Sequence, residues 1–232
     1  MNRLDATVFF DLADWAHRGL FPGGEGVWAA LGPRLRAHVD AWPDWSVSIP
    51  IPPGVHLLGD RIFIAPGCRV EPGAVIVGPA ILEEGVVVRT GAYVREYCLL
   101  GAGCLVGAHS EIKGSVLLPR AKAPHQAYVG DSILGRDVNL GAGTICSNVK
   151  NIDGDIAFRV GGEVVHTGLH KLGAILGDGC KTGCNTVLNP GTLLGPGSVT
   201  YPNATLRSGF YPPRTLVKVR QAQQLIELDR LR

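Results

Sequence analysis

Aromatic residues make up only 6% of this 232-residue chain, and methionine occurs once. A core built on rings or thioethers is thereby excluded. The apolar 46% must come chiefly from Ala, Val, Ile and Leu. Charge is sparse as well: charged residues are 18% and the net charge is +2, too weak a field to point to nucleic acid or an acidic membrane surface as partner. No run of 18 apolar residues exists, so no membrane span is expected. The opening stretch carries Asp5, Asp11 and Asp14, which a secretory signal avoids, and a cytoplasmic location is the expectation. No CxxC pair occurs among the six cysteines, so neither a zinc ribbon nor a redox pair is expected, and no metal.

What the chain has in abundance is glycine, 32 residues, and a strict rhythm. Counting from Leu58, an aliphatic returns every six residues at Ile64, Val70, Ile76, Leu82, Val88, Val94, Leu100, Val106, Ile112 and Leu118. The ladder resumes at Leu134 and Leu140, and again at Leu176, Leu188, Leu194 and Leu206 with Thr182 and Thr200 between. Two places before most rungs stands a small residue, as at Cys68, Ala74, Ala80, Ala92, Cys98, Cys104, Ser110 and Cys180. A period of six fits neither an α-helix nor a hairpin sheet. It fits a solenoid of short parallel strands, three to a triangular coil, with the aliphatic inward and the small residue at the corner. The four cysteines in that register read as buried corner filler, and Cys184 stands off it.

Residues 1–56 carry all four tryptophans and mixed helical periodicity, and read as a helical N-terminal cap over the open end of the solenoid, with two short helices and a strand near 46–51. The solenoid itself spans 57–211. Two breaks in the rhythm predict loops, at 119–128 and 147–171, the second holding a Gly161–Gly162 hairpin signal. Residues 212–232 follow a Pro-Pro pair and read as an amphipathic helix.

Because one coil takes about 18 residues, Arg95 and Lys113 fall on adjacent rungs, and each follows an inward aliphatic, so both point outward. Two stacked cations repel unless an anion bridges them, and a phosphate matches a guanidinium fork beside a point charge. The competing reading is a solvated basic face paired with Glu96 or Glu111. His125, the histidine of the first break, is a candidate general base, with Glu111 near enough in sequence to orient it. The competing reading is a simple exposed histidine. His166 and His170 are four apart but lie on a hairpin, not a helix, which does not bring them to one face for a metal.

The segment "GRDVNLGAGTICSNVKN" (135–151), with "EIKGSVL" before it and "HQAYVGDS" between, resembles the acetyltransferase half of the bifunctional glucosamine-1-phosphate acetyltransferase / N-acetylglucosamine-1-phosphate uridyltransferase family. "HKLGAILGDGCKTGCNTVLNPGTLLGPGSV" is most similar to the archaeal-type sugar-phosphate acetyltransferase–nucleotidylyltransferases. The resemblance covers about 58–205. It implies a left-handed parallel β-helix of hexapeptide repeats that works as a homotrimer, with active sites between subunits and acetyl-CoA as co-substrate. It implies His125 as catalytic base with Glu111 beside it. Arg95 and Lys113 then hold the sugar phosphate, and Tyr128, Asn139 and Asn148 line the acceptor. Ala142, Cys184 and Lys171 fall on the acyl-donor side. The family's nucleotide-transfer domain has no counterpart in 1–56, so uridyl transfer is not expected of this chain.

The expected activity is therefore acetyl transfer from acetyl-CoA to the amine of glucosamine 1-phosphate or galactosamine 1-phosphate, in amino-sugar nucleotide biosynthesis. A non-catalytic assembly or regulatory β-helix, and an acyltransferase for another amino sugar, are the alternatives. On the catalytic reading, the first break exists so that His125 can leave one shaft and reach a cleft shared with the next.

Overall fold

A computed structural model describes residues 4–220 and 222. The chain folds as a three-walled parallel β-solenoid. The first wall has eight strands, beginning with His56–Leu58, Val75–Val77, Tyr93–Val94 and Glu111–Lys113. The second also has eight, beginning with Ile62–Ile64, Ala80–Leu82 and Cys98–Leu100. The third runs from Arg69–Val70 through Val87–Val88, Leu105–Ala108 and Lys122–His125. It continues through single bridges at Asn139 and Lys181 to Val199–Thr200 and Leu216–Val217. Every wall strand pairs in parallel with the strand one coil away. The solenoid fold class, with hexapeptide periodicity, is thus as the spacing predicts.

The inward positions form the buried stack Ile64, Val70, Ile76, Leu82, Val88, Val94, Leu100, Val106 and Ile112, and the corner positions Cys98, Cys104, Ser110 and Cys180 are buried beside them. The stack then departs from a spacing of six. Leu100 pairs with Leu117, not Leu118, and Leu117 with Leu134; Ile112 pairs with Val129. The corner leaving the first wall is one residue shorter in these two coils, which close in 17 residues. Ala123 and Cys146 take inward positions, so a search for branched aliphatics passes over them.

The loop expected at 119–128 is therefore not a loop. Lys122–His125 is a third-wall strand in register with Leu105–Ala108, and Tyr128–Gly130 continues the first wall. The second break is real. Residues 157–166 form an antiparallel hairpin, Ala157–Val160 with Glu163–His166, turning at Gly161 and Gly162, both with positive φ.

The N-terminal segment contains three 3₁₀ turns and one helix, α1 (Pro33–Asp40), and Val47 makes only a single bridge to Ile64. Most of it sheathes the second wall, while Ile49, Ile51 and Val55 pack on the inner core at the open end. Outward residues of that wall, Ile81, Leu99, Val116, Ile133, Ile175 and Leu193, share one buried cluster with Phe9, Phe10, Trp15, Leu20, Leu31 and Leu35. Leu118 belongs to this cluster rather than to the inner stack. The hairpin joins it: Phe158 meets Trp28 edge-on, 5.5 Å between ring centroids. A wall buried on both sides reads as an unbroken apolar run, as in "AIL", "CLL" and "TLL", whereas an open wall alternates. The first rung is Leu57, which pairs with Ile76 and packs on the inner core; Leu58, placed there by the count of six, faces outward and is 49% exposed.

Two carboxylates pin the sheath. Asp178 accepts from the N–H groups of Asp11 and Arg136, both at 2.7 Å. Glu83 accepts from the Ala102 N–H at 3.0 Å and faces Nε2 of buried His17 at 3.2 Å. Nδ1 of His17 lies 2.8 Å from Nε2 of His38 on α1.

The expected C-terminal helix is corrected in its first part. Residues 212–220 continue the third wall, with Leu216–Val217 paired to Val199–Thr200. Residues 221 and 223–232 of that expectation lie outside the described residues.

Candidate active site

The first wall carries a connected polar patch. In strand order, Tyr93 and Glu111 pair, then Glu111 and Tyr128, so these three stack near the edge shared with the third wall. Arg95, Lys113 and Gly130 stack two residues further on, nearer the edge shared with the second wall, about 6–7 Å away at strand rise. Arg95 and Lys113 thus occupy neighbouring rungs and both face outward.

They are not unpaired, and the premise of two bare cations is corrected. Arg95 Nη1 donates to Glu111 Oε1 at 3.0 Å, and its Nε lies 3.8 Å from Glu96. Lys113 Nζ donates to Asp131 Oδ2 at 3.2 Å. These ion pairs are partly buried: Lys113 and Asp131 side chains are 21% and 15% exposed. The hydrogen bond that Arg95 donates to Glu111 holds its guanidinium above its ordinary range. One donor remains: Arg95 Nε is buried and makes no hydrogen bond.

The patch continues through Asp131, which also accepts from Asn148 Nδ2, while Tyr128 Oη donates to Asn148 Oδ1 at 3.3 Å. Burial, then the charges of Glu111 and Asp131, push the Tyr128 phenol up, so it stays a neutral donor. Gly130 makes room for this arrangement. A Cβ there would stand 2.7 Å from Tyr128 Oη and 2.8 Å from the Asn148 amide.

Glu111 is committed to Arg95, and the orienting role expected for it toward His125 is not made here. His125 sits on the third wall, at its edge with the first, opposite Ala108. Its side chain is exposed and has no hydrogen-bond or ion-pair partner. That edge is built from turns stacked one per coil. Gly143 N–H donates to the His125 carbonyl, and Asn185 N–H to the Ala142 carbonyl. His125, Ala142 and Cys184 therefore occupy successive rungs of one edge. Cys184 is exposed, whereas the other five cysteines are buried.

Asn139 and Lys171 fall elsewhere. Asn139 faces out from the third wall, bridged between Lys122 and Lys181, one wall round from Tyr128. Lys171 is exposed and leads into Leu172 and Gly173, whose N–H groups bond the Asn148 and Asp131 carbonyls. That places it at the Asp131 edge of the first wall, not with Ala142 and Cys184. Asp131 itself was missed in the sequence reading although it stands in "HQAYVGD". The signal was its distance of 18 from Lys113, one coil in an unshortened solenoid.

Among the described residues, no group of three or more His, Cys, Asp or Glu is arranged to hold a metal. No helix among them is long and apolar enough to cross a membrane.

Fold and patch together define a hexapeptide-repeat β-solenoid with a polar wall and a turn-lined edge. Residues 76–200 match the model of the GMPPB C-terminal domain, and the chain belongs to that family. It is 38% identical over 99 residues to a bifunctional sugar-1-phosphate nucleotidylyltransferase/acetyltransferase of Sulfurisphaera tokodaii, covering 43% of this chain and 25% of that protein. It is 42% identical over 90 residues to the bifunctional protein GlmU of Methanococcus vannielii, covering 39% and 22%. The aligned part thus spans a quarter or less of these relatives' length. Among solved structures, an Arabidopsis UDP-N-acetylglucosamine acyltransferase aligns with TM-score 0.33 and 16% identity, over 72% of this chain and 68% of that one.

Proposed function

We propose that the chain is an acyltransferase that moves an acetyl group from acetyl-CoA to the amine of a hexosamine 1-phosphate in the cytoplasm, and that it works as a homotrimer. The observation that carries this reading is the connected set Arg95, Glu111, Lys113, Tyr128, Asp131 and Asn148 on one wall, bordered by an edge carrying His125, Ala142 and Cys184. The segments "EIKGSVL" and "HQAYVGDS", which carry the resemblance to the acetyltransferase family, supply Glu111, Lys113, His125, Tyr128 and Asp131 of that set.

An ammonium is not a nucleophile, so a base must take its proton. His125 is free to do so, since its exposed ring has no hydrogen-bond or ion-pair partner. Arg95 and Lys113, held in place by Glu111 and Asp131, fix the phosphate end and so orient the amine. As the amine adds to the thioester carbonyl, the carbonyl oxygen gains charge; collapse then expels the CoA thiolate. Backbone N–H groups of the edge turns, at Ala142 and Cys184, are not used within the solenoid and can donate to that oxygen. Asn139, on the next wall round, serves a cleft only where two shafts meet, which is the reason for a trimer in this reading.

The test is an acceptor panel with acetyl-CoA and thiol-release detection. Glucosamine 1-phosphate or its galacto isomer is expected to be acetylated, and His125→Ala to lower kcat by about 10²–10⁴-fold with little change in acceptor binding. Full activity in that variant removes the base. The non-catalytic reading draws on one observation, that the wall's cations are already neutralised. No binding of CoA by calorimetry would favour it.

A further inference from the structure

The wall that is to hold a phosphate carries more negative than positive charge. Three carboxylates, Glu96, Glu111 and Asp131, face two cations, Arg95 and Lys113. A phosphomonoester approaching this wall alone meets an excess of one negative charge. Something else must supply attraction.

A cavity of about 290 Å³ opens beside the patch, at the edge between the first and second walls. Lys113, Asp131, Glu96 and Tyr97 line one side. The other side is α1 of the N-terminal sheath, which contributes Arg36. Its guanidinium lies over the Tyr97 ring, 4.7 Å from the centroid. Unlike Arg34 on the same helix, which pairs with Glu25, Arg36 contacts no carboxylate. It is the cation of this cavity that the fold itself does not neutralise. The contact with the ring holds the guanidinium at the cavity wall with no carboxylate to neutralise it, and a guanidinium suits bidentate recognition of a phosphate.

We propose that Arg36 is the specificity-determining anion contact of the acceptor site: the N-terminal sheath brings a third cation to Lys113 and Arg95, and so selects acceptors bearing a phosphomonoester. This rests on the reading of the first wall as an acceptor site. It goes beyond the family pattern, because Arg36 lies outside the matched span of 76–200.

The experiment is calorimetric binding of glucosamine 1-phosphate, glucosamine and inorganic phosphate to the full chain, its Arg36→Gln and Arg36→Lys variants, and Arg34→Gln as control. Acetyl transfer is measured in parallel. Loss of one charge-assisted contact is expected to weaken the phosphate ester about tenfold or more in Arg36→Gln, less in Arg36→Lys, and to leave glucosamine unchanged. In turnover the loss is expected in KM rather than kcat. Arg34→Gln is expected to bind like the parent. Thermal melting reports whether the sheath stays docked; if Arg36→Gln melts early, Arg36→Lys decides. Equal affinity for the ester in the parent and in whichever variant remains folded overturns the proposal, as does no ester binding by the parent. Ester binding that depends on Arg36 without acetyl transfer would sink the proposed reaction and leave this inference standing.

Discussion

Gly130→Ala separates the site from the scaffold. The position is buried and pairs with Lys113, and its φ is not in the left-handed region, so alanine imposes no backbone strain. The new methyl would meet Tyr128 Oη at 2.7 Å and the Asn148 amide at 2.8 Å. Ordinary contact begins near 3.4 Å, so one or both tips must move by roughly 0.6 Å or more. Both are side-chain atoms rather than backbone, so they give before the scaffold does. The hydrogen bonds cannot survive intact. The Tyr128–Asn148 bond is a neutral one worth about 1 kcal/mol, and Asn148–Asp131 has a charged acceptor worth about 1.5–3. Losing one or both predicts a fall of between about 5-fold and several hundredfold in kcat/KM for the hexosamine phosphate. The same bonds contribute to folding, so the melting temperature should fall by about 2–4 °C for each kcal/mol lost and no further. The assay is thiol release from acetyl-CoA alongside a thermal melt. Parent-like kcat/KM in a correctly folded Gly130→Ala would refute the claim that Tyr128 and Asn148 shape the acceptor site. A large drop in stability would refute the claim that their tips can move.

Four further outcomes follow from the fold. Leu99→Ala removes a side chain pointing out of the prism into the sheath, yet it should cost about 2–5 kcal/mol in denaturant unfolding, as for a core leucine. Arg120→Ala breaks a pair whose side chains are both 55% exposed, and should change stability by less than about 1 kcal/mol despite its short distance. A thiol reagent should modify one cysteine per native chain, Cys184. Burial pushes Cys98, Cys146 and Cys180 up to about 12 and raises Cys104 as well, so more than one fast thiol would contradict their packing. Stability should fall on acidification in two stages. Burial, aided by His17, holds His38 below the usual histidine range, so its contribution is complete above about pH 6.5 and is lost as pH falls through the folded value. Glu83 is opposed by burial but held low by its hydrogen bond to His17, and its contribution is lost further down, below about pH 4.3. Melts from about pH 8 down to about pH 2 check this, and His38→Gln should flatten the upper stage.

The repeat was legible because one constraint acts at every sixth place: an inward side chain must fill a narrow triangular core. That constraint sets volume rather than branching, which is why Ala123 and Cys146 serve as well as leucine and were passed over. With them missed, two coils of 17 residues looked like a loop. Pro124 sits within the strand Lys122–His125 all the same. The sheath was misplaced for a different reason. Its own tryptophans and phenylalanines say that it packs, but where it packs is recorded on the other partner, in the unbroken apolar triplets of the second wall. At the site, spacing placed Arg95 and Lys113 on neighbouring rungs. Spacing could not show that Glu111 turns toward Arg95 rather than His125, since that choice rests on side-chain rotation.

A triangular rod can meet other molecules on three sides, and here its own leading polypeptide has already claimed one of them for good. A ring of rods that met through their two bare sides and the ridge of His125, Ala142 and Cys184 would turn the clad side outward. The cladding thus limits in advance how copies of this chain can be arranged around one another.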